Sequence, residues 1–241
     1  MKKEALIVGG SNGIGLSIAM NLPTYDCIHI IDKQTPELLP PNAVYHAFDL
    51  LNDDYSIFNN FQNIDTLIIT AGFGKLALFQ DLDEDYITKS FKVNTIGVIR
   101  ILKHFYPFLL EKKDFYCAVM VSIAGYLSSP FFSIYGATKA ALSKFIESVN
   151  VELIKSGSPN CILNISPGAI KGTKFNNNNH NDLDLNKQLA CNIIHHIYNK
   201  DDLYIPEYEE IFENVLKRYH NDFRKFGLES YDYKLKRINS K

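Results

Sequence analysis

Gly9-Gly10-Ser11-Asn12-Gly13-Ile14-Gly15 directly follows the apolar run of residues 5–8, and this glycine-rich turn is the strongest indication of the fold. A turn this tight needs residues without a Cβ, because the backbone must approach a pyrophosphate and the following helix must pack closely on the strand. The N-terminus of that helix offers free amide groups and a favourable dipole to phosphates. A strand before the glycines and a helix after them favour a dinucleotide site over a simple turn. The cofactor contacts predicted in this loop are Gly9, Ser11, Asn12, Gly13, Ile14 and Gly15.

Short apolar runs recur along the rest of the chain and alternate with longer amphipathic stretches. They are almost continuously apolar, as expected of strands that helices cover on both faces. The alternation predicts an α/β fold, a doubly wound parallel sheet of the Rossmann type with helices on both faces. The length of 241 residues suits one such domain, so residues 1–241 are interpreted as a single domain. The predicted strands are residues 5–8, 27–31, 44–48, 66–70, 118–121, 161–165 and 203–205.

Composition excludes several function classes. The formal net charge of −2 gives no global field that would favour nucleic acid or an anionic membrane surface. The four cysteines lack CxxC spacing, so reduced thiols and no metal site are expected. The apolar run near the start is too short for a secretory signal, and no window has the length of a spanning helix. A cytoplasmic location is therefore the expectation.

Two polar segments follow the predicted sixth strand. Residues 172–184 contain the asparagine run 176–179, a composition that cannot pack a core and that predicts a mobile loop. Its place would suit a lid over the nicotinamide, and an inert surface insertion is the alternative. Residues 207–241 read as a helical tail with interspersed acids and bases, which favours a solvated helix face over a nucleic-acid patch.

Two aspartates follow predicted strands on the cofactor side. Asp32 ends the second strand about twenty residues after the glycines, where an acid can accept hydrogen bonds from the adenosine ribose hydroxyls. The same charge repels a 2′-phosphate and predicts NAD over NADP, although Lys33 could partly offset it. Asp49 ends the third strand and either contacts the adenine or serves as a turn residue.

A proton-transfer site is predicted around Tyr135 and Lys139, which lie one helical turn apart on the same face. Bringing the pKa of a tyrosine from about 10 to near 7 takes roughly 4 kcal/mol. A lysine ammonium about 5 Å away gives about 3 kcal/mol at an effective dielectric near 20. Ser122 ends the fifth predicted strand, where its hydroxyl would hold a substrate oxygen. Asn94 lies in a helix, and a water relay to Lys139 would satisfy its buried amide.

These residues resemble the short-chain dehydrogenase/reductase family in its compact single-domain branch, over roughly the first 175 residues. Asn94, Ser122, Tyr135 and Lys139 match its four catalytic positions in order and spacing. The glycine loop looks like the family's cofactor loop. Three more matches are Ala71-Gly72 for the end of Asn-Ala-Gly, Pro167-Gly168 for the nicotinamide pocket, and Ile170 for a backbone contact to the carboxamide.

The sequence departs from the family pattern at three positions. Val8 stands where Thr or Ser is usual before the first glycine. Thr70 replaces the Asn of Asn-Ala-Gly, which puts that strand-end contact in doubt. The Thr expected five residues after Pro167 is Gly172, with Thr173 one place later, so either of these two could meet the carboxamide.

The resemblance implies an NAD(P)-dependent oxidoreductase acting on a small carbonyl or alcohol, with hydride passing to or from the nicotinamide. Tyr135 would protonate the carbonyl oxygen, Lys139 would lower its pKa, Ser122 would orient the substrate, and Asn94 would anchor a relay water. It also implies a homodimer or homotetramer paired through helices at about residues 83–112 and 135–156.

Two other function classes remain open from the sequence. A sugar-nucleotide epimerase or dehydratase shares Tyr-x-x-x-Lys, but it usually has another glycine spacing and more chain for a substrate domain. A cofactor-sensing protein without turnover would not require Tyr135 and Lys139 together. A turnover assay with a panel of carbonyls separates the enzyme from the sensor.

Overall fold

The computed structural model describes residues 3–23, 25–173, 175 and 182–239, with side chains up to residue 236. Seven strands form one sheet in the order β3-β2-β1-β4-β5-β6-β7, and every pair is parallel. This confirms the predicted Rossmann-like sheet. The strands are β1 (Glu4–Val8), β2 (Cys27–Asp32), β3 (Ala43–Ala47), β4 (Ile64–Ile69), β5 (Tyr116–Met120), β6 (Ile162–Ile165) and β7 (Leu203–Tyr204).

Helices cover both faces of the sheet and continue beyond its last strand. A π-helical turn, Lys92–Gly97, joins the second helix to the third, and another, Tyr208–Phe212, precedes the sixth. Short 3-10 turns lie at Ser56–Asn60, Phe79–Asp81 and Ile123–Gly125. The α-helices are α1 (Gly13–Asn21), α2 (Glu84–Phe91), α3 (Val98–Glu111), α4 (Ser133–Lys155), α5 (Leu183–Tyr198), α6 (Glu213–Asn221) and α7 (Phe223–Asn239).

Two apolar clusters hold these layers together, one on each face of the sheet. Side chains alternate along each strand, so Ile7 faces one cluster while Leu6 and Val8 face the other. On one face α1 and α5 pack through residues such as Ile18 and Ile193. On the other face α3 and α4 supply a second set, which includes Phe105, Leu109, Leu142 and Ile146.

The structure differs from the sequence-based boundaries in several places. The third strand ends at Ala47 and the fifth at Met120, so Asp49 and Ser122 each lie two residues beyond a strand. The predicted helix at about 83–112 is two α-helices joined by the π-helical turn. No α-helix lies between β2 and β4; residues 33–42 contain three prolines, which disfavour a helix interior.

The two polar segments have different outcomes. Most of residues 172–184, including the whole asparagine run, lies outside the described residues, and α5 already begins at Leu183 with Asp182 as its N-cap. The tail is helical as predicted. Within the described part of the chain, no helix has the length and apolar character needed to cross a bilayer.

The order of the strands fixes where a ligand can bind. β1 has β2 on one side and β4 on the other, so the chain reverses its winding direction at β1. Connections that diverge from adjacent strands leave a crevice at the carboxyl ends of the strands. The loops after β1, β4, β5 and β6 therefore meet at this edge.

Candidate active site

The turn between β1 and α1 is packed against the end of β4. Gly9 has a φ of +90°, and a Cβ there would overlap the backbone nitrogen of Ala71. A Cβ on Gly15 would overlap the Gly9 carbonyl oxygen and the Thr70 hydroxyl. That hydroxyl donates a hydrogen bond of 2.9 Å to the Gly9 carbonyl. Thr70 therefore ties β4 to the glycine loop, although it replaces the family's asparagine.

The turn at residues 9–15, here called the cradle, contains a buried polar atom without a hydrogen-bond partner among the described residues. The Ser11 side chain is 1 % exposed, and its Oγ has no hydrogen-bond partner among the described residues. Thr173, from the segment after β6, lies 3.4 Å from the place a Cβ on Gly13 would take. A buried hydroxyl without a partner is unfavourable unless a ligand or water satisfies it. A close backbone turn, this hydroxyl and the N-terminus of α1 together fit a phosphate group. Ile14 is mostly buried in the core, so only its backbone is available to the cofactor.

Asp32 lies beside this cradle, at the end of β2. Its carboxylate accepts hydrogen bonds of 3.1 Å from the backbone amides of Ser11 and Gln34. The Asn12 amide donates to the Gln34 side chain at 3.1 Å, a contact that the sequence analysis missed. Asp49 accepts from the Leu51 amide at 3.0 Å, as a turn aspartate does. Its adenine contact stays a prediction.

Tyr135 lies in the first turn of α4 and faces the turn that follows β5. Burial raises the pKa of Tyr135 to about 12, and a side-chain hydrogen bond with Ser122 opposes the rise. The Ser122 hydroxyl oxygen also accepts from the Ala124 amide at 3.1 Å, which fixes it as the cap of a 3-10 turn. These two hydroxyls thus meet at the carboxyl edge of the sheet.

Lys139 lies one turn further along α4 and is 2 % exposed. Its ammonium donates to the Met120 carbonyl at 2.8 Å and lies 5.8 Å from the centroid of the Tyr135 ring. Desolvation lowers the pKa of Lys139 to about 8. The direction of the Tyr135 shift is therefore opposite to the sequence-based expectation, because burial dominates and the ammonium lies over the ring instead of beside the hydroxyl.

Asn94 is fully buried in the π-helical turn, and its amide is satisfied by direct contacts. Its Oδ1 accepts from the Phe73 amide at 3.0 Å, and its Nδ2 donates to the Phe73 carbonyl at 2.8 Å and to Thr138 Oγ1 at 3.2 Å. A Cβ on Gly72 would lie 3.3 Å from the Asn94 oxygen and 3.4 Å from the Lys139 ammonium. Asn94 and Lys139 thus meet at the Ala71-Gly72 step.

The segment that follows β6 forms the remaining part of the carboxyl edge of the sheet. The Pro167 carbonyl accepts a hydrogen bond of 3.0 Å from the Ile123 amide, next to Ser122. The Phe212 ring covers Gly168, where a Cβ would lie 2.6 Å from its Cζ. The Thr173 hydroxyl donates to the Ile170 carbonyl at 3.4 Å.

Aromatic rings surround the Tyr135 phenol. The ring centroids of Phe132 and Phe175 lie 5.7 Å and 5.3 Å from that of Tyr135. Tyr126, in contrast, points into the core, where its hydroxyl accepts from the Asn164 amide at 2.9 Å. Phe175 was not predicted at this site, because it directly precedes the asparagine run, which indicated a loop.

The sequence matches a known protein family and several known relatives. The family described as short chain dehydrogenase matches residues 54–184, more than half of the chain. An uncharacterized oxidoreductase from Staphylococcus epidermidis is 26 % identical over 192 residues, which cover 72 % of this chain and 83 % of that protein. An uncharacterized short-chain type dehydrogenase/reductase from Sinorhizobium fredii is 30 % identical over 175 residues, 69 % of each chain.

Solved structures share the fold. A short-chain dehydrogenase from Streptomyces avermitilis superimposes with a TM-score of 0.76 at 19 % identity and covers 99 % of both chains. A short chain dehydrogenase from Burkholderia cenocepacia in complex with NADP gives 0.72 at 16 % identity, covering 89 % of this chain and 96 % of its own. One from Burkholderia phymatum in complex with NAD gives 0.74 at 17 % identity, covering 92 % and 94 %.

The sequence match, the parallel sheet and the residues at its carboxyl edge all indicate the same family. The chain belongs to the short-chain dehydrogenase/reductase family and is a hydride-transferring oxidoreductase.

Proposed function

We propose that this enzyme interconverts a carbonyl and an alcohol with Tyr135 as the proton-transfer residue. One observation carries the proposal: the Tyr135 phenol interacts with the Ser122 side chain and lies one helical turn from the buried Lys139. A phenol with a raised pKa stays protonated at neutral pH, so it can donate a proton to a carbonyl oxygen. The Ser122 hydroxyl would hold the same oxygen while its charge develops.

The cofactor site fits a nicotinamide dinucleotide, which supplies the hydride when bound. Ser11 and the backbone of the Gly9–Gly15 turn would hold the pyrophosphate, with the α1 N-terminus behind them. Lys139, next to Gly72, would donate to the nicotinamide ribose. Pro167, Gly168, Ile170 and Thr173 would line the nicotinamide side.

The role we propose for Asn94 differs from the sequence-based expectation. Both N–H donors of its side chain are used by Phe73 and Thr138, and its oxygen already accepts one hydrogen bond from Phe73, so direct protein contacts take up most of its hydrogen-bonding capacity. We propose that it positions the 72–73 backbone beside Lys139.

We propose NAD as the preferred cofactor, on the charge of Asp32 beside the cradle. Related folds hold either NAD or NADP, so the preference needs a direct test. A carboxylate about 4 Å from a 2′-phosphate costs several kcal/mol at an effective dielectric near 20. Calorimetric titration should give a lower Kd for NAD(H) than for NADP(H). Asp32→Ala should narrow or reverse the difference, and Lys33→Ala should widen it; tighter NADP(H) binding to the wild type would contradict the proposal.

The quaternary state and the domain count remain proposals. We propose a homodimer or homotetramer and a single domain spanning residues 1–241. Exposed apolar side chains on the two long helices support the first, and the packing of α7 against the loop before Tyr135 supports the second.

The experiment that tests the function is a turnover screen of the wild type with a panel of ketones, aldehydes and alcohols in both directions. Consumption or formation of reduced nicotinamide is expected with at least one substrate. Tight cofactor binding with no turnover of any member would favour the cofactor-sensing alternative.

A further inference from the structure

The C-terminal helices fold back onto the chemical end of the molecule. The Phe212 ring lies over Gly168, next to the Pro167 carbonyl. From α7, the Tyr231 ring packs on Phe131 with centroids 4.9 Å apart. Phe131 belongs to the loop between Ser122 and Tyr135, so α7 contacts the loop that leads to the phenol.

Lys234 extends from α7 to the same loop. Its ammonium donates to Ser129 Oγ at 2.6 Å and to the Pro130 carbonyl at 2.9 Å. It lies 5.5 Å from the centroid of the Phe132 ring, which in turn lies 5.7 Å from the Tyr135 ring. The ammonium is thus separated from the proton-transfer residue by one aromatic side chain.

The charge of Lys234 has no counter-ion within the described part of the chain. Both of its hydrogen-bond acceptors are neutral, and no carboxylate there lies within salt-bridge distance. Its environment lowers the pKa of Lys234 to about 8, and desolvation is the cause. On the neighbouring α6, by comparison, Lys217 pairs with Glu213 at 2.8 Å. A half-buried ammonium without a counter-ion is unfavourable, and it retains one N–H donor for an anion.

The Phe132 ring lies next to both the Lys234 ammonium and the Tyr135 ring. Phe132 and Phe175 flank the phenol, and neither offers a hydrogen bond. A ligand that reaches both the Lys234 ammonium and the Tyr135 phenol must pass along these rings, so its middle part must be apolar.

We propose that Lys234 is the distal anchor of the substrate pocket and that the substrate is a carbonyl or alcohol with an apolar body and a carboxylate at its far end. This inference rests on the proposed function of Tyr135. The carboxylate would accept the remaining ammonium donor and neutralise the charge, while the carbonyl reaches Tyr135 and Ser122.

The test compares aryl ketones that carry a carboxylate on spacers of increasing length, each beside its neutral methyl ester. Lys234→Met should raise KM for the matching acid by about 10- to 100-fold, since a charge-assisted hydrogen bond is lost, and should leave kcat nearly unchanged. The ester should change by less than about threefold. Lys234→Arg should recover most of the affinity, and Lys236→Met, an exposed lysine on the same helix, should behave as the wild type.

Binding of an unreactive arylalkyl carboxylate and of its amide, measured by calorimetry on the cofactor-saturated protein, gives a readout that does not need turnover. If the acid binds, its amide does not, and the binding depends on Lys234, the anchor is supported even when no ketone in the panel reacts. The absence of any reaction would instead contradict the proposed function. An equal rise in KM for the acid and for the ester in Lys234→Met would overturn the anchor. Lys234 would then only stabilise the loop. Absence of any preference for the acid in the wild type would overturn it as well.

Discussion

At the scale of single residues, burial controls the electrostatics of the proton-transfer pair. Burial disfavours the charged form of each group, so the pKa of Tyr135 rises to about 12 and that of Lys139 falls to about 8. A simple Coulomb argument from the sequence placed the ammonium beside the phenol oxygen. The structure places it over the ring, bonded to the Met120 carbonyl. The Tyr135 phenol is therefore protonated at neutral pH, the form that the proposed proton transfer to a carbonyl requires.

The pH dependence of carbonyl reduction should therefore report Lys139. The phenol remains protonated over the neutral range, whereas the ammonium loses its charge as pH rises through about 8. We expect kcat/KM for reduction to be level below about pH 7 and to fall by up to tenfold per pH unit above about 8. Steady-state rates at saturating cofactor measure this profile.

Lys139→Arg is the control for that profile, because an arginine stays charged at every pH used. The variant is expected to be slower, but its rate should not decline above pH 8. A wild-type profile that stays level through pH 10 would show that the Lys139 charge is not required.

Spacing in the sequence predicts that the proposed catalytic side chains share a helix face, but it does not predict their partners. Tyr135 and Lys139 lie one helical turn apart, so their shared face follows from helix geometry alone. The acceptor of Lys139, the Met120 carbonyl, comes from another element and carries no signature in the side-chain pattern. For the same reason, the direct contacts of Asn94 could not be foreseen.

At the scale of elements, the β1–α1 turn depends on β4. The Thr70 hydroxyl, at the end of β4, holds the Gly9 carbonyl, and Gly15 leaves no room for a Cβ between them. The shape of the cofactor loop is therefore set by two strands that are adjacent in the sheet but distant in sequence.

Thr70→Val should weaken cofactor binding while the fold is retained. Loss of one hydrogen bond is worth about 0.5–1.5 kcal/mol, which corresponds to a rise in Kd of roughly 2- to 10-fold. Thr70→Ser should restore the affinity. Thr66→Val, which removes a buried hydroxyl bonded to Tyr25, should lower stability without changing Kd. Calorimetry and thermal unfolding read the two effects separately, and an unchanged Kd in Thr70→Val would refute the role of this contact.

Elements with strong apolar runs were predictable, while irregular ones were not. The strands appear where short apolar runs predicted them, with ends displaced by at most two residues, because burial of both faces dominates their sequence. The π-helical turn at Lys92–Gly97 has no comparable pattern, since it inserts an extra residue into an otherwise regular helix. It directs Asn94 and Thr95 at α4, where Thr95 donates to the Thr138 carbonyl at 3.0 Å.

At the scale of the whole molecule, two long helices leave apolar side chains in solvent. Val151 and Ile154 on α4 are 65 % and 72 % exposed, and Leu110 on α3 is 38 % exposed. Exposed apolar residues grouped on helices are typical of interfaces.

Light scattering at micromolar concentration should therefore give the mass of a homodimer or homotetramer. The double variant Val151→Glu with Ile154→Glu should shift the population toward the monomer, because burying two carboxylates in an apolar interface is unfavourable. Lys155→Glu, which changes charge on the same helix without removing an apolar group, should not. A monomeric wild type would contradict the oligomer.

The contacts of the C-terminal tail could not be predicted from the sequence pattern. Its mixed charges predicted a solvated helix, and much of α7 is indeed exposed. Tyr231 and Lys234 nevertheless reach the loop before Tyr135, a contact between segments about a hundred residues apart. Only tertiary packing brings these two residues to the site.

We propose that Tyr135 transfers the proton while the other residues of the site bind and orient the substrate and the cofactor. Tyr135→Phe should lower the rate of nicotinamide-dependent carbonyl reduction by about 100- to 10,000-fold and leave the Kd of the cofactor within about twofold. Following reduced-nicotinamide absorbance in the wild type and in the variant, with calorimetry on both, tests this directly. Near wild-type turnover in the variant would contradict the account.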